Sequence, residues 1–93
     1  MRFIWDERKK RRNIAKHKID FATAILVFDD PHAVSRLQRI EDGEERWRIL
    51  GLAGGIVVLF VAYTYMDNDE EVIRIISARK ATPRERKVYE ENL

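Results

Sequence analysis

Between Ile49 and Met66 the chain carries no charged side chain. At about 18 residues, such a stretch passes the usual length screen for a membrane helix. Its glycines decide otherwise. Gly51, Gly54 and Gly55 lie inside it, and Gly-Gly is a dipeptide of tight hairpin turns because both residues accept positive φ. Ile56-Val57-Val58-Leu59-Phe60-Val61 follows the pair, a β-branched run suited to a pleated sheet. The stretch therefore predicts two antiparallel strands, Glu45 to Ala53 and Ile56 to Tyr65, turning at Gly54-Gly55, and no membrane contact. In the first strand Trp47, Ile49, Gly51 and Ala53 alternate with Arg46, Arg48, Leu50 and Leu52, so the two sets fall on opposite faces. The second is apolar at both parities, as a central strand covered at least in part on both sides must be.

The rest of the chain builds around this hairpin. Val72 to Arg79 reads as the next strand, reached through a polar loop from Met66 to Glu71. Thr82, Pro83 and Glu85 then form a capping-box pattern, which starts a last helix from Pro83 to about Asn92. At the other end, Phe3-Ile4-Trp5 is a short edge strand. Asp6 caps a helix running to Lys16 or His17, with Lys9, Arg12, Asn13 and Lys16 on one face. Asp20 caps a second helix with an apolar stripe of Phe21, Ala24, Ile25 and Phe28, stopped by Asp29-Asp30-Pro31. Ala33 to Ile40 alternates weakly as a strand, and Glu41 to Glu44 is an acidic turn. Short turns between successive strands imply antiparallel pairing. The expectation is one α+β domain over residues 1–93: two N-terminal helices, an antiparallel sheet of three to four strands plus the short N-terminal strand, and a C-terminal helix.

Charge and chemistry narrow the function. Eighteen Lys and Arg against sixteen Asp and Glu leave a net charge of only +2, but Arg8-Lys9-Lys10-Arg11-Arg12 is an unbroken basic block. Such a block suits a polyanion, most often nucleic acid, or is a solvated helix face. There are no cysteines and only two histidines, so no disulfide, zinc site or other metal centre is expected. The charged amino end lacks an apolar core of the signal-peptide kind, and a cytoplasmic location is expected. Arg79 and Lys80 fall beside the start of the last helix, where a phosphate meets backbone N–H groups and cations together.

Several groups of residues resemble a known family in combination. They are Phe3-Ile4-Trp5-Asp6, Lys9, Asn13, Lys16-His17, Ile19 and Phe21; Phe28-Asp29-Asp30-Pro31, Glu45-Arg46, Leu50-Gly51, Gly54-Gly55 and Tyr63-Thr64; then the Arg74 to Arg79 run, Ala81, Glu85 and Tyr89. Across nearly the whole chain this is similar to the BrnT-type toxins of bacterial type II toxin–antitoxin pairs. The resemblance implies a RelE-like fold, metal-independent endoribonuclease activity without a cofactor, and growth arrest. It also implies a cognate antitoxin with a ribbon-helix-helix DNA-binding domain, operator DNA being touched only through that antitoxin. Two departures stand out. Lys18 occupies a place where the family usually has Gly, so it either takes positive φ or the helix ends differently. Cations usual after Gly-Gly and after Tyr-Thr are absent, since those places hold Ile56 and Tyr65 to Asn68.

Cleavage of RNA by its own 2′-hydroxyl needs a base, cations for the phosphorane and an acid for the leaving oxygen. Arg79 is expected to hold transition-state charge, the competing role being an ion pair with Glu85 or Glu90. Glu45 is the candidate base, or else an ion pair in the acidic turn. His17, at a helix C-terminus, suits the acid, or is a packing or capping residue. Lys9 is a phosphate contact or substitute acid. Lys16, Arg12, Arg46, Lys80 and Tyr89 are candidate RNA contacts, with solvated surface the competing role for Lys9 and Lys16. Arg79, Lys9 and Glu45 are expected to share one groove. Arg74 is placed on the other strand face from Arg79, as a structural partner or a clamp for an acidic protein. Trp5, Trp47 and Tyr63 are read as core before base-stacking residues. The alternative function is a non-catalytic basic module, or inactive homologue, with salt-sensitive binding.

Overall fold

The computed structural model describes residues 1–67 and 70–93. Its elements are β1 (Arg2–Trp5), α1 (Glu7–His17), α2 (Phe21–Ala24) continuing as a 3₁₀ turn (Ile25–Asp29), β2 (Val34–Glu41), β3 (Glu44–Ala53), β4 (Val57–Asp67), β5 (Glu71–Lys80) and α3 (Pro83–Glu90). The uncharged stretch is a hairpin. Ala53 pairs with Val57, and the Ile56 N–H donates to the Ala53 carbonyl at 3.2 Å. Gly54 and Gly55 carry φ of 60° and 74°, the left-handed pair a type I′ turn requires. The acidic turn works the same way, with Asp42 at 53° and Gly43 at 78°. Of the loop expected between Met66 and Glu71, Asn68 and Asp69 lie outside the described residues.

The strand order is β1-β5-β4-β3-β2. Strands β2 to β5 form an antiparallel meander, but β1 runs parallel to β5. The sheet is therefore mixed and five-stranded: the expected antiparallel strands are β2 to β5, and the short N-terminal strand joins them in parallel, so the sheet is not purely antiparallel. Short turns constrain only consecutive strands, and β1 meets its partner after the rest of the domain has intervened. The second helix is also shorter than its apolar stripe implied. Phe21, Ala24 and Val27 are fully buried, and their spacing of three suits the eclipsed side chains of a 3₁₀ turn.

The core lies between the helices and one sheet face. It gathers Phe21, Ala24 and Val27 against Ile49, Leu59, Val61, Tyr63, Ile73 and Ile75. Trp5 packs edge-on to Phe21 at 6.2 Å between centroids, and Tyr63 to Phe28 at 5.0 Å. These aromatics serve packing. The helix α1 leans on β5 beyond the end of β1, and Asn13 joins them. Its Oδ1 accepts from the Ala78 N–H at 3.0 Å, and its Nδ2 donates to the Ala78 and Ile19 carbonyls, each at 2.8 Å. Asn13 thereby does for the β5 edge what a neighbouring strand does elsewhere.

Lys18 ends α1 in the left-handed region, φ 61° and ψ 27°, with its N–H on the Ile14 carbonyl. The departure from Gly therefore leaves the cap geometry in place, at the cost of Cβ crowding. Lys18→Gly is expected to raise stability by about 0.5–1 kcal/mol, read as a rise of a few degrees in Tm. An unchanged or lower Tm contradicts a strained cap.

The helix α3 has its full capping box, with Glu85 N–H on Thr82 Oγ1 at 3.2 Å and Thr82 N–H on Glu85 Oε1 at 2.9 Å. Among the described residues no helix is long and apolar enough to cross a membrane.

Candidate nucleic-acid interface

Residues directly opposite one another on paired strands share a sheet face. On the face away from the core, Arg46 stands opposite Thr64 and Thr64 opposite Arg74. The next row is Arg36, Arg48, Ala62 and Ser77, and the row after it Val34, Leu50, Phe60 and Arg79. Arg39 joins the first row opposite Arg46.

Two β-bulges create this convergence. Arg74 and Arg79 are five apart and would point to opposite sides of a regular strand, as the sequence reading assumed. In β5, however, Tyr63 pairs with Ile75 and Ala62 with Ser77. Ile76 is the extra residue, and it returns Arg79 to the face of Arg74. Likewise Leu37 pairs with Trp47 and Arg39 with Arg46, so Gln38 is extra and Arg36 and Arg39 align. The face is consequently lined with guanidinium groups from three strands.

The basic side of α1 borders it. Lys9, Arg12, Lys16 and His17 line a shallow groove with Ile76 and Ser77. Lys9 also lines the adjoining groove with Ile4 and Arg74.

Among the described residues, the buried side-chain polar atoms without a hydrogen-bond partner are Glu44 Oε2, Arg46 Nε and Thr64 Oγ1. All lie on this face, in its first row or beside it. Thr64 is 1% exposed. Glu44 Oε2 is 3.8 Å from Arg74 Nη1, and Arg46 Nε is 3.6 Å from Glu41 Oε2, ion pairs without hydrogen-bond geometry. Glu41 is hydrogen-bonded by Arg39, and this together with the charges of Arg39 and Arg46 holds its carboxyl below the usual range. Glu44 and Arg46 each keep an ion-pair partner there, while Thr64 Oγ1 is enclosed beneath them.

Arg79 is engaged. Its Nη1 and Nη2 donate to both oxygens of Glu85 at 2.8 and 3.0 Å, and its guanidinium lies 4.2 Å from the Phe60 ring centroid. The competing ion pair foreseen for it is the one formed. The Arg79 hydrogen bond is the main reason the Glu85 carboxyl falls to about 2. A lowered carboxylate pKa contributes stability that is present above its ordinary value near 4.5 and is lost as pH falls toward 2. Acid unfolding of Glu85→Gln is accordingly expected to show a weaker pH dependence than that of the wild type between about pH 4.5 and 2, followed by circular dichroism. Identical acid profiles contradict the pairing.

The other expected residues divide. Lys9, Arg12, Lys16, His17 and Arg46 border or lie on the arginine face. Glu45 does not. It stands opposite Tyr65, accepts from Trp47 Nε1 at 3.2 Å, and lines a groove of about 420 Å³ with Phe28, Trp47, Tyr63 and Glu71 on the other side of the sheet. Glu45 therefore lies on the opposite sheet face from Arg79, with which it was expected to share a groove, because its place in β3 has core-side parity. Lys80 is exposed at the end of β5, opposite Leu59 and so also of the core-side parity. Tyr89 is 2% exposed and donates to Asp30 Oδ2 at 2.5 Å. Burial and that carboxylate push its hydroxyl up to about 12. It anchors α3 and is buried away from any RNA contact.

Glu44, Thr64, Arg36, Arg39 and Arg48 share this face too, although the sequence alone did not single them out. For Glu44 and Arg48 the signal was present: the alternation that put Arg46 and Arg48 on one side puts Glu44 there too. Among the described residues no group of three or more His, Cys, Asp or Glu gathers as a metal site.

An open sheet face of arginines, bordered by a basic helix, is the form of a protein that holds a polyanion. The comparisons give the class. Residues 5–85 match the family described as "Ribonuclease toxin, BrnT, of type II toxin-antitoxin system". The chain belongs to the BrnT family, and is thus a ribonuclease-type toxin with an RNA target and an antitoxin partner. Among solved structures it is similar to the Brucella abortus ribonuclease toxin BrnT, solved at 1.1 Å, at 28% identity and a TM-score of 0.69, over 88% of this chain and 97% of that one. No curated protein sequence matches.

Proposed function

We propose that the arginine face binds and cuts RNA by attack of the 2′-hydroxyl, without a metal ion. The observation that carries this is the alignment of Arg39, Arg46 and Arg74 on one open sheet face, bordered by the basic side of α1. A phosphodiester there receives hydrogen bonds from the part-exposed guanidinium groups of Arg46 and Arg74, donors held by strands before the substrate arrives. Glu44 takes the proton of the 2′-hydroxyl in place of Glu45. The 2′-oxygen bonds to phosphorus, the bond to the 5′-oxygen breaks, and Lys9 or His17 returns a proton to that oxygen. The products are a 2′,3′-cyclic phosphate and a free 5′-hydroxyl. Arg12 and Lys16 hold the neighbouring backbone. Arg79 braces α3 and Phe60 rather than meeting the phosphate.

In the same reading the fold is RelE-like and the protein works in the cytoplasm. Its antitoxin carries a ribbon-helix-helix domain, and that antitoxin alone touches operator DNA. The test is RNA cleavage by the purified chain in EDTA, with growth arrest on induced expression relieved by the neighbouring gene. Cleavage undiminished by EDTA and lost in Glu44→Gln supports the reading. Salt-sensitive binding with neither cleavage nor arrest gives the second reading, a non-catalytic module.

A further inference from the structure

Beyond the cleavage row, the arginine face has a roofed end. The helix α3 packs against β3 and encloses a cleft of about 290 Å³. Its apolar lining is Val34, Leu50, Phe60 and Val88, and its cations are Arg36, Arg48 and Arg84. Glu85 also lines it, but both its oxygens are taken by Arg79 and one also by the cap N–H of Thr82. The cleft therefore offers flat apolar contact in its depth and guanidinium donors at its sides, with its acid already spent.

Resting on the reading of this face as the RNA site, we propose that the cleft is a nucleobase subsite selecting guanine next to the cut. A flat ring fills the apolar part, and the edge it presents to guanidinium groups must carry acceptors. Guanine does so with O6 and N7, which arginine meets bidentately, whereas adenine and cytosine each offer an amino donor on that edge. Uracil has an acceptor but only a single ring to fill the space. The geometry also gives the subsite its place in the strand. Arg48 follows Arg46 by two residues on β3, roughly 7 Å along the sheet, so a base held by Arg48 belongs to a nucleotide beside the phosphate at Arg46 and Arg74. Phe60, fixed by Arg79 at 4.2 Å and flanked by Arg48 at 5.9 Å, keeps the floor rigid.

The experiment titrates the full chain with GMP, AMP, CMP and UMP separately and follows the methyl resonances of Val34, Leu50 and Val88. GMP is expected to shift all three and to bind about 10-fold more tightly than the other nucleotides. Arg48→Gln is expected to erase the preference. Val88→Trp, which fills the cleft from α3, is expected to remove the methyl shifts of Val34 and Leu50. Sequencing the 5′ ends of cleaved RNA then shows guanine at one fixed offset for the wild type and a flattened distribution for Arg48→Gln. Equal binding of the four nucleotides, or a guanine preference that survives both substitutions, overturns the subsite. So does an acidic peptide shifting those methyls where no nucleotide does. An overturned subsite in a chain that still cuts RNA leaves the proposed reaction standing. A chain that cuts no RNA yet keeps the guanine preference removes the reaction and retains the subsite.

Discussion

Arg46→Ala combined with Arg74→Ala is expected to lower RNA cleavage by about 10²–10³-fold, with the fold intact. Both side chains leave strand positions that face away from the core, so their loss opens no cavity. Arg74 is 39% exposed and Arg46 31%, and their ion pairs with Glu44 and Glu41 are of the partly solvated kind that contributes little to stability. What disappears is a pair of preorganised donors on either side of Thr64. The same double variant is expected to reduce the salt dependence of binding to an uncleavable 2′-O-methyl oligonucleotide, since two phosphate contacts are removed. Unaltered cleavage with an unaltered salt slope means RNA is held elsewhere. The Arg79→Ala variant provides contrast: it is expected to lower thermal stability through loss of the Glu85 clamp, with a smaller effect on RNA affinity.

Asn13→Ala is expected to cost about 3–5 kcal/mol. Asn13 is 6% exposed, and its amide bonds the Ala78 N–H, the Ala78 carbonyl and the Ile19 carbonyl. Its removal strands three backbone groups where water enters poorly, each worth about 1–3 kcal/mol. A small domain has about 5–15 kcal/mol of stability in total, so the variant should melt about 15 °C or more below the wild type. Asn13→Asp keeps the size and the acceptor but loses the two donated bonds when ionised, and is expected to be as damaging. A small change in Tm for both contradicts the role. The consequence reaches function, because α1 carries Lys9, Arg12 and Lys16, and Asn13 is what fixes that helix to the β5 edge.

The legible parts of this chain were those governed by local chemistry. Gly54-Gly55 announced the hairpin, Thr82-Pro83-Glu85 announced α3, and Asp6 announced α1. What escaped depended on partners far away in sequence. No periodicity in Phe3-Ile4-Trp5 tells whether its neighbour runs parallel. The 3₁₀ turn packs closely on distant Gly51, where an added Cβ would sit 2.7 Å from Val27 Cγ1. The site suffered most from the bulges. A bulge inverts every side-chain direction beyond it, and nothing in Arg74 to Arg79 or Arg36 to Arg39 signals one. A strict alternation therefore scattered arginines that the folded sheet gathers. Glu44 is a different case, since unbulged β3 already gave it the parity of Arg46 and Arg48.

The decisive measurement is a crystal structure of the chain with a 2′-O-methyl oligonucleotide, which cannot react at the attacking oxygen. The account predicts a backbone phosphate held between the guanidinium groups of Arg46 and Arg74. An oligonucleotide seated instead in the aromatic groove of Glu45, Trp47 and Tyr63 would contradict it.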